Sequence, residues 1–352
     1  MLMAVLIPSV PAGASMSAVG CGDTLTSSVA LTVDLTCAPG NGLTVDADNI
    51  TIDLAGHTVS GDMVVDTHSR VTVKNGRLSG LSALRSAAVT LSKVAGVSLT
   101  VERLSTVIAE GTPSTCVINS IRVYLAYLTI DHCTVHGSGS FNQARQPAVR
   151  SSILSNGRLT FNESFGGVFT ENVFDKFPVE MKWDSRNFTF RGNAFKNADT
   201  ALSTDGILGG TWDTTVEHNV FSDNAIGMRA SPNFDRVIVR DNVFSHNGTV
   251  GLFINNTVLP RQLYPVSGNV FSHNGHTPSG ITDLWHQSIQ GGLHVFNSSN
   301  TDGPDYPPIT LTRNIGSGNA GHLIWGMGPQ VADGGGNQGP CGPQPHTSLT
   351  CF

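Results

Sequence analysis

The sequence predicts an all-β solenoid built from coils of three short strands, with about 22 residues to a coil. Three observations carry this. From about Leu43 onward, short β-patterned runs alternate with Asn, Gly and Ser clusters, and strands of that length between turn signals mark an all-β chain. An asparagine recurs at Asn172, Asn193, Asn219, Asn242, Asn269 and Asn314, with gaps of 21, 26, 23, 27 and 45 residues, the last about two units. A phenylalanine follows two residues later at Phe174, Phe195, Phe221, Phe244 and Phe271, lapsing to Gly316 in the final unit.

Composition agrees with this class and excludes others. The 352 residues include 39 glycines and 25 asparagines, both turn-favouring, while only 13% are charged, against about 25% in average globular proteins. The glycines follow no G-X-Y period, which excludes collagen. Abundant Val, Ile, Leu and Phe with a net charge of −6 argue against disorder. The 20 Lys and Arg against 26 Asp and Glu leave no basic excess for nucleic acid.

Along the chain, Met1 to Ile7 is a short apolar run followed by Pro8, Pro11 and Ala12-Gly13-Ala14, with Ala18 offering a second small-residue cleavage position. A secretory signal over residues 1–18 is expected, although no Lys or Arg precedes the run. Nothing later is long and apolar enough to span a bilayer. Six cysteines fall as Cys21/Cys37, Cys116/Cys133 and Cys341/Cys351. With a signal, an even count reads as three local disulfides in an oxidising compartment, and the spacings match no zinc site.

Strand runs include Ile50-Thr51-Ile52, Val71-Thr72-Val73, Leu128-Thr129-Ile130, Phe188-Thr189-Phe190 and Val237-Ile238-Val239. The Leu-x-x-Leu-x-Leu frame of leucine-rich repeats and the long amphipathic stretches of helical repeats are missing. Three strands per coil remain, with successive coils pairing in parallel about 4.8 Å apart. Asn at one fixed turn would stack its amides from coil to coil, and Phe would stack within the core. Cys133 fits the Asn slot. These residues are read as structural.

Cys21-Gly22-Asp23-Thr24-Leu25-Thr26, Asp34-Leu35-Thr36-Cys37 and Ile52-Asp53-Leu54-Ala55-Gly56-His57-Thr58-Val59-Ser60-Gly61 resemble the opening of secreted bacterial right-handed parallel β-helix proteins of the pectin-lyase-like superfamily. Asp333-Gly334-Gly335-Gly336-Asn337, with Cys341 and Cys351, resembles their end. The resemblance implies a right-handed parallel β-helix over residues 43–335, an N-terminal cap at 19–42 and a disulfide-tied tail at 336–352. It bears weakly on activity, because the superfamily spans lyases, hydrolases, epimerases and adhesins.

Counting from each Phe locates outward side chains. With Val179, Met181 and Trp183 inward, Glu180, Lys182 and Asp184 point out. Eight residues past the Phe stand Lys182, Ser203 and Arg229; ten past stand Asp184, Asp205 and Ser231. Cations and carboxylates on neighbouring coils are unusual in so uncharged a chain. Elimination on a uronic-acid polymer needs a base and a cation for developing negative charge, roles open to Lys182 and Arg229. Resemblance to pectate lyases implies Ca²⁺ held by Asp184 and Asp205. A hydrolase would use the same two aspartates as acid and nucleophile or base. A stacked salt-bridge ladder on a solvated face is the non-catalytic reading.

His246 and His273 occupy equivalent turns and are expected to stack; with His218, His276, His286 and His294 they suggest metal ligands or simply polar turns. Trp285, Trp325, Tyr264 and Tyr306 offer rings to a sugar or to packing. The expected protein is a monomeric, secreted, polysaccharide-active solenoid whose partner is a polysaccharide or cell-surface glycan. A non-catalytic glycan-binding or surface solenoid is the alternative.

Overall fold

A computed structural model describes residues 18–205, 211–230, 234–256, 265–283, 286–297, 308–327, 331–343 and 349–352. Ser231, Tyr264, Trp285, Tyr306 and most of the expected signal segment lie outside these residues, as does the side chain of Asp205. The described strands wind as a parallel solenoid with no helix among them. Strand pairing begins at Thr24–Leu25, which pairs with Leu43–Val45, and runs to Cys341–Gly342, which pairs with Ile324–Trp325.

Each coil contributes a strand to three faces. In one coil Val168–Thr170 lies on the first face, Val173–Asp175 on the second and Val179–Lys182 on the third. The next coil stacks Thr189–Arg191, Ala194–Lys196 and Thr200–Asp205 upon them in parallel. Strand alternation buries one side chain in two, so the coils enclose a single long core. Toward the N-terminus the core is Val, Leu and Ile. From Phe141 onward its largest side chains are phenylalanines.

The expected Phe column is present. Rings of Phe174, Phe195, Phe221, Phe244 and Phe271 stack at successive centroid distances of 4.5, 4.8, 4.8 and 4.9 Å, within 6° of parallel. Gly316 ends the column because the Leu323 side chain occupies the space a Cβ there would need.

The tight corner between first and second faces holds the buried Asn ladder. Asn193 Oδ1 accepts the Asn172 backbone N–H and side-chain amide, each at 3.0 Å, while its own amide donates to Asn219 Oδ1 at 2.9 Å and to the Phe169 carbonyl at 2.9 Å. The ladder continues through Asn242, Asn269 and Asn314 to Asn337. At its N-terminal end the Cys133 N–H donates to Ser152 Oγ, and the Ser152 N–H to Asn172 Oδ1, so Cys133 occupies the slot its spacing indicated. The residue before each ladder position turns left-handed: Glu171, Gly192, His218, Asp241, Gly268 and Arg313 all have positive φ.

A second ladder lines the corner between second and third faces. Asn224, Asn247, Asn274 and Asn319 repeat the same bonding, preceded by left-handed Asp223, His246, His273 and Gly318. His246 and His273 stack at 5.2 Å. All three expected disulfides, Cys21–Cys37, Cys116–Cys133 and Cys341–Cys351, are formed.

Candidate functional site on the third face

The third face presents two outward rows. In strand register, Arg122, Ser140, Thr160, Glu180, Ser203 and Arg229 form one row, continued by Phe253, His294 and Trp325. Tyr124, Asn142, Asn162 and Lys182 form the other, with Asp205 next in register. The Asn162 amide donates to Asn142 Oδ1 at 2.8 Å, an exterior echo of the buried ladders. Tyr124 and Trp183 are 42% and 52% exposed beside these rows, leaving ring faces open to solvent.

Lys182 and Arg229 share the face but not the row on which the Phe count placed them. Lys182 stands opposite Asp205, whereas Arg229 stands opposite Ser203, which stands opposite Glu180. The count slips by two residues because the corner widens where the second ladder begins: Val179 follows Phe174 by five positions, but its partner Leu202 follows Phe195 by seven. Asp184 is not on the strand. Trp183 and Asp184 both have positive φ, so the chain leaves the sheet there and turns the Trp183 ring outward, contrary to the inward placement expected for it. The Lys182 ammonium lies 2.8 Å from Glu180 Oε2, and Arg158 approaches the same carboxylate at 3.7 Å.

Arg229 belongs to a different setting. It lines a cavity of about 210 Å³ with Phe253, Asn255, Ile281, Thr282, Asp283 and Ile289. The outer wall is a strap, described over residues 276–283 and 286–290, that leaves the second corner and crosses the third face. It is held by the Thr277 N–H on the Gly248 carbonyl, the Ser279 N–H on Thr249 Oγ1 and the Ile289 N–H on the Ile281 carbonyl. Beneath it, Ile226, Val250, Phe253, Ile289 and Phe296 form a second apolar cluster separate from the coil core.

Two fully buried polar groups fasten the strap. His294 Nε2 lies 3.1 Å from Asp283 Oδ2, and both side chains are wholly removed from solvent. The His294 ring stacks on Trp325 at 4.3 Å, and Asp283 Oδ1 accepts the Gln287 N–H. Asn255 Oδ1 is buried with no hydrogen-bond partner among the described residues. The sequence pattern missed this assembly. Its one signal was the density of His and aromatic residues after Tyr264.

The fit to a calcium ion is slight. Asp184 supplies an exposed carboxylate in a corner, and among the described residues no group of three or more His, Cys, Asp or Glu is placed to hold a metal ion.

Residues 183–337 match the family described as right handed beta helix region. This stretch is a right-handed parallel β-helix. Among solved structures, the β-helix is similar to the Dettilon tailspike protein gp208 (10% identity, 86% of this chain and 62% of that one, TM-score 0.43). It is similar to the polygalacturonase from Erwinia carotovora ssp. carotovora (10% identity, 92% of this chain and 100% of that one, TM-score 0.38). The A-module of the Azotobacter vinelandii mannuronan C-5 epimerase AlgE6 is similar as well (13% identity, 96% and 90%, TM-score 0.39). The β-helix thus spans about 62% of the tailspike chain's length. No curated protein matches it by sequence.

Proposed function

We propose that the protein is a secreted polysaccharide-active β-helix that binds an acidic polysaccharide along the third face and cleaves it by elimination. One observation carries this reading: the two outward rows run as a continuous polar and aromatic track from Tyr124, Asn142 and Asn162 past Lys182 to the cavity at Arg229. Side chains repeat along it every strand spacing, so a polymer laid parallel to the axis meets amides, cations and ring faces in series. Arg229 would bind a carboxylate and stabilise the charge developing when the adjacent proton is removed. Removal of that proton by Lys182, or by Arg229 itself, would form the double bond as the bond to the glycosidic oxygen breaks, with the departing oxygen protonated by water. The three disulfides suit an oxidising compartment, and among the described residues no helix is long and apolar enough to cross a membrane.

A non-catalytic glycan-binding solenoid is the second reading. It is favoured by the Lys182–Glu180 pair, which engages the lysine with a carboxylate on its own strand.

The test is incubation of the protein with pectate, alginate and glycosaminoglycans, with and without calcium, following ultraviolet absorbance of unsaturated products. Elimination predicts such products and their loss, by about 100-fold or more, in Arg229→Ala and Lys182→Ala. Retention on a polymer without products would establish the binding solenoid instead. Reducing ends without unsaturation would move the activity to hydrolysis by Asp184 and Asp205. Neither binding nor cleavage would overturn both readings.

A further inference from the structure

The second face carries a feature the third-face reading leaves unused. Its first outward position is filled, coil after coil, by Ile153, Val173, Ala194, Val220, Val243, Val270 and Ile315, in continuous strand register. Five of these residues are 36–44% exposed, a large fraction for side chains packed shoulder to shoulder. The stripe spans six strand spacings, about 29 Å. Beside it, the other outward position is small and polar in the later coils: Ser222, Ser245, Ser272 and Ser317. A ridge of apolar side chains, branched except at Ala194, thus runs beside the Asp175–Lys196 ion pair in the earlier coils and beside serines in the later ones. The loop around Pro113, bonded to Thr134 Oγ1 at 2.8 Å, closes its N-terminal end.

We propose that this face docks a second copy of the chain, with the two β-helix axes parallel and related by a two-fold axis running along them. The flanking corners select the partner and the orientation. One edge of the face carries Glu171, His218 and Asp241; the other carries Lys176, Asp223 and His246, on the same three coils and all exposed. A two-fold along the axis sets one edge of a copy against the other edge of its partner at the same coil. Glu171 then faces Lys176, His218 faces Asp223 and Asp241 faces His246, and symmetry produces each pairing twice. The same operation seats Val220, Val243, Val270 and Ile315 of each copy against the serine row of the other, with Val173 and Ala194 beside Asp175 and Lys196. The antiparallel arrangement centred on Val220 instead sets Asp223 against Asp223, which opposes like charges, and Lys176 against His273, which offers it no carboxylate. Self-complementarity in one orientation only is what a two-fold homodimer requires.

The contact is modest. A stripe of this length and a face three residues wide bury roughly 600 Å² over both copies, below the usual range for stable complexes. The dimer should therefore dissociate on dilution, and it leaves the third face open. A monomer, as the sequence alone suggested, would be the dilute state.

Sedimentation velocity across a concentration series tests this. The wild-type chain should shift from monomer to dimer as concentration rises. Val220→Lys with Val243→Lys should weaken association at least 100-fold with an unchanged circular dichroism spectrum and unchanged glycan retention. Asp223→Lys alone should weaken it, and His218→Glu added to Asp223→Lys should restore it. Because all six cysteines are paired, Ile315→Cys supplies a single thiol. A short bis-maleimide should join two such chains in the parallel dimer, whereas in the antiparallel one these positions lie at opposite ends. A monomer at every concentration, a dimer indifferent to the Val substitutions, or an Ile315→Cys dimer that resists cross-linking would each overturn the proposal. If a variant loses its β spectrum, the cross-link, made in an otherwise wild-type face, decides alone.

Discussion

At the scale of the residue, the buried asparagines show how a polar side chain becomes core. Asn219 is 1% exposed, yet Oδ1 accepts two hydrogen bonds from Asn193 and its amide donates to Asn242 and to the Phe190 and Glu217 carbonyls. No apolar residue of that size could satisfy the groups it serves. Asn219→Ala should therefore destabilise the protein by about 2–4 kcal/mol, since it strands buried partners on both neighbouring coils. Equilibrium urea unfolding measures this; a loss under 1 kcal/mol would mean water replaces the side chain. The first ladder was legible because one residue type recurs where one geometry recurs. The second ladder was equally visible, as Phe-Ser-x-Asn in three successive units, but its members looked like ordinary turn residues. What separates them from turn residues is burial, which no single unit displays.

At the scale of the element, the strap over the third face depends on Asp283 and His294. Asp283→Ala leaves the buried His294 Nε2 without its carboxylate, and His294→Ala takes one of its bonds from the buried Asp283, each at a cost of about 1–3 kcal/mol. Asp283→Ala and His294→Ala should each speed backbone hydrogen exchange at the Ser279 and Ile289 amides while sparing the Asn ladder amides. The double substitution should cost clearly less than the sum of the two. Additive losses with unaltered exchange would remove the pair from the strap's support. This element was illegible in the sequence for a physical reason. Arg229, Asn255 and Asp283 meet only because an irregular segment of the chain folds back over two regular coils, and no period describes such a segment. The slip that separated Lys182 from Arg229 has the same origin, a corner two residues wider than the one before it.

At the scale of the whole molecule, several carboxylates are held below their ordinary range. A Thr58 backbone N–H, then His57, lowers Asp34; a Ser69 backbone N–H lowers Asp48. The Arg85 guanidinium lowers Asp66, the Asn197 amide lowers Asp175 and the Arg236 guanidinium lowers Asp213. Each group is more acidic folded than unfolded, so the folded chain binds fewer protons than the unfolded one between the two pKa values. Their stabilisation is fully present above the unfolded carboxylate value of about 3.9 and disappears as pH falls through the folded values. The melting temperature should be flat from pH 7 to about 5 and drop below about 4, and salt should flatten the drop, because these groups are largely exposed. A melting temperature that rose on acidification would contradict this assignment.

The Asn ladder also has a direction. From Asn172 to Asn314 each amide accepts at its oxygen from the preceding coil and donates one N–H to the Asn of the next, so the dipoles add along the axis instead of cancelling. A column of aligned amides from Asn172 to Asn337 should carry positive polarity at its C-terminal end, as an α-helix does at its N-terminus. The last amide, on Asn337, donates to Asp333 Oδ1 at 3.0 Å, and the same carboxylate accepts the Gly335 and Thr350 N–H groups. The column thus runs out onto an anion. Asp333 acts there as a counter-charge to an electrical polarity built from uncharged side chains, and it ties the tail to the end of the coil where that polarity emerges.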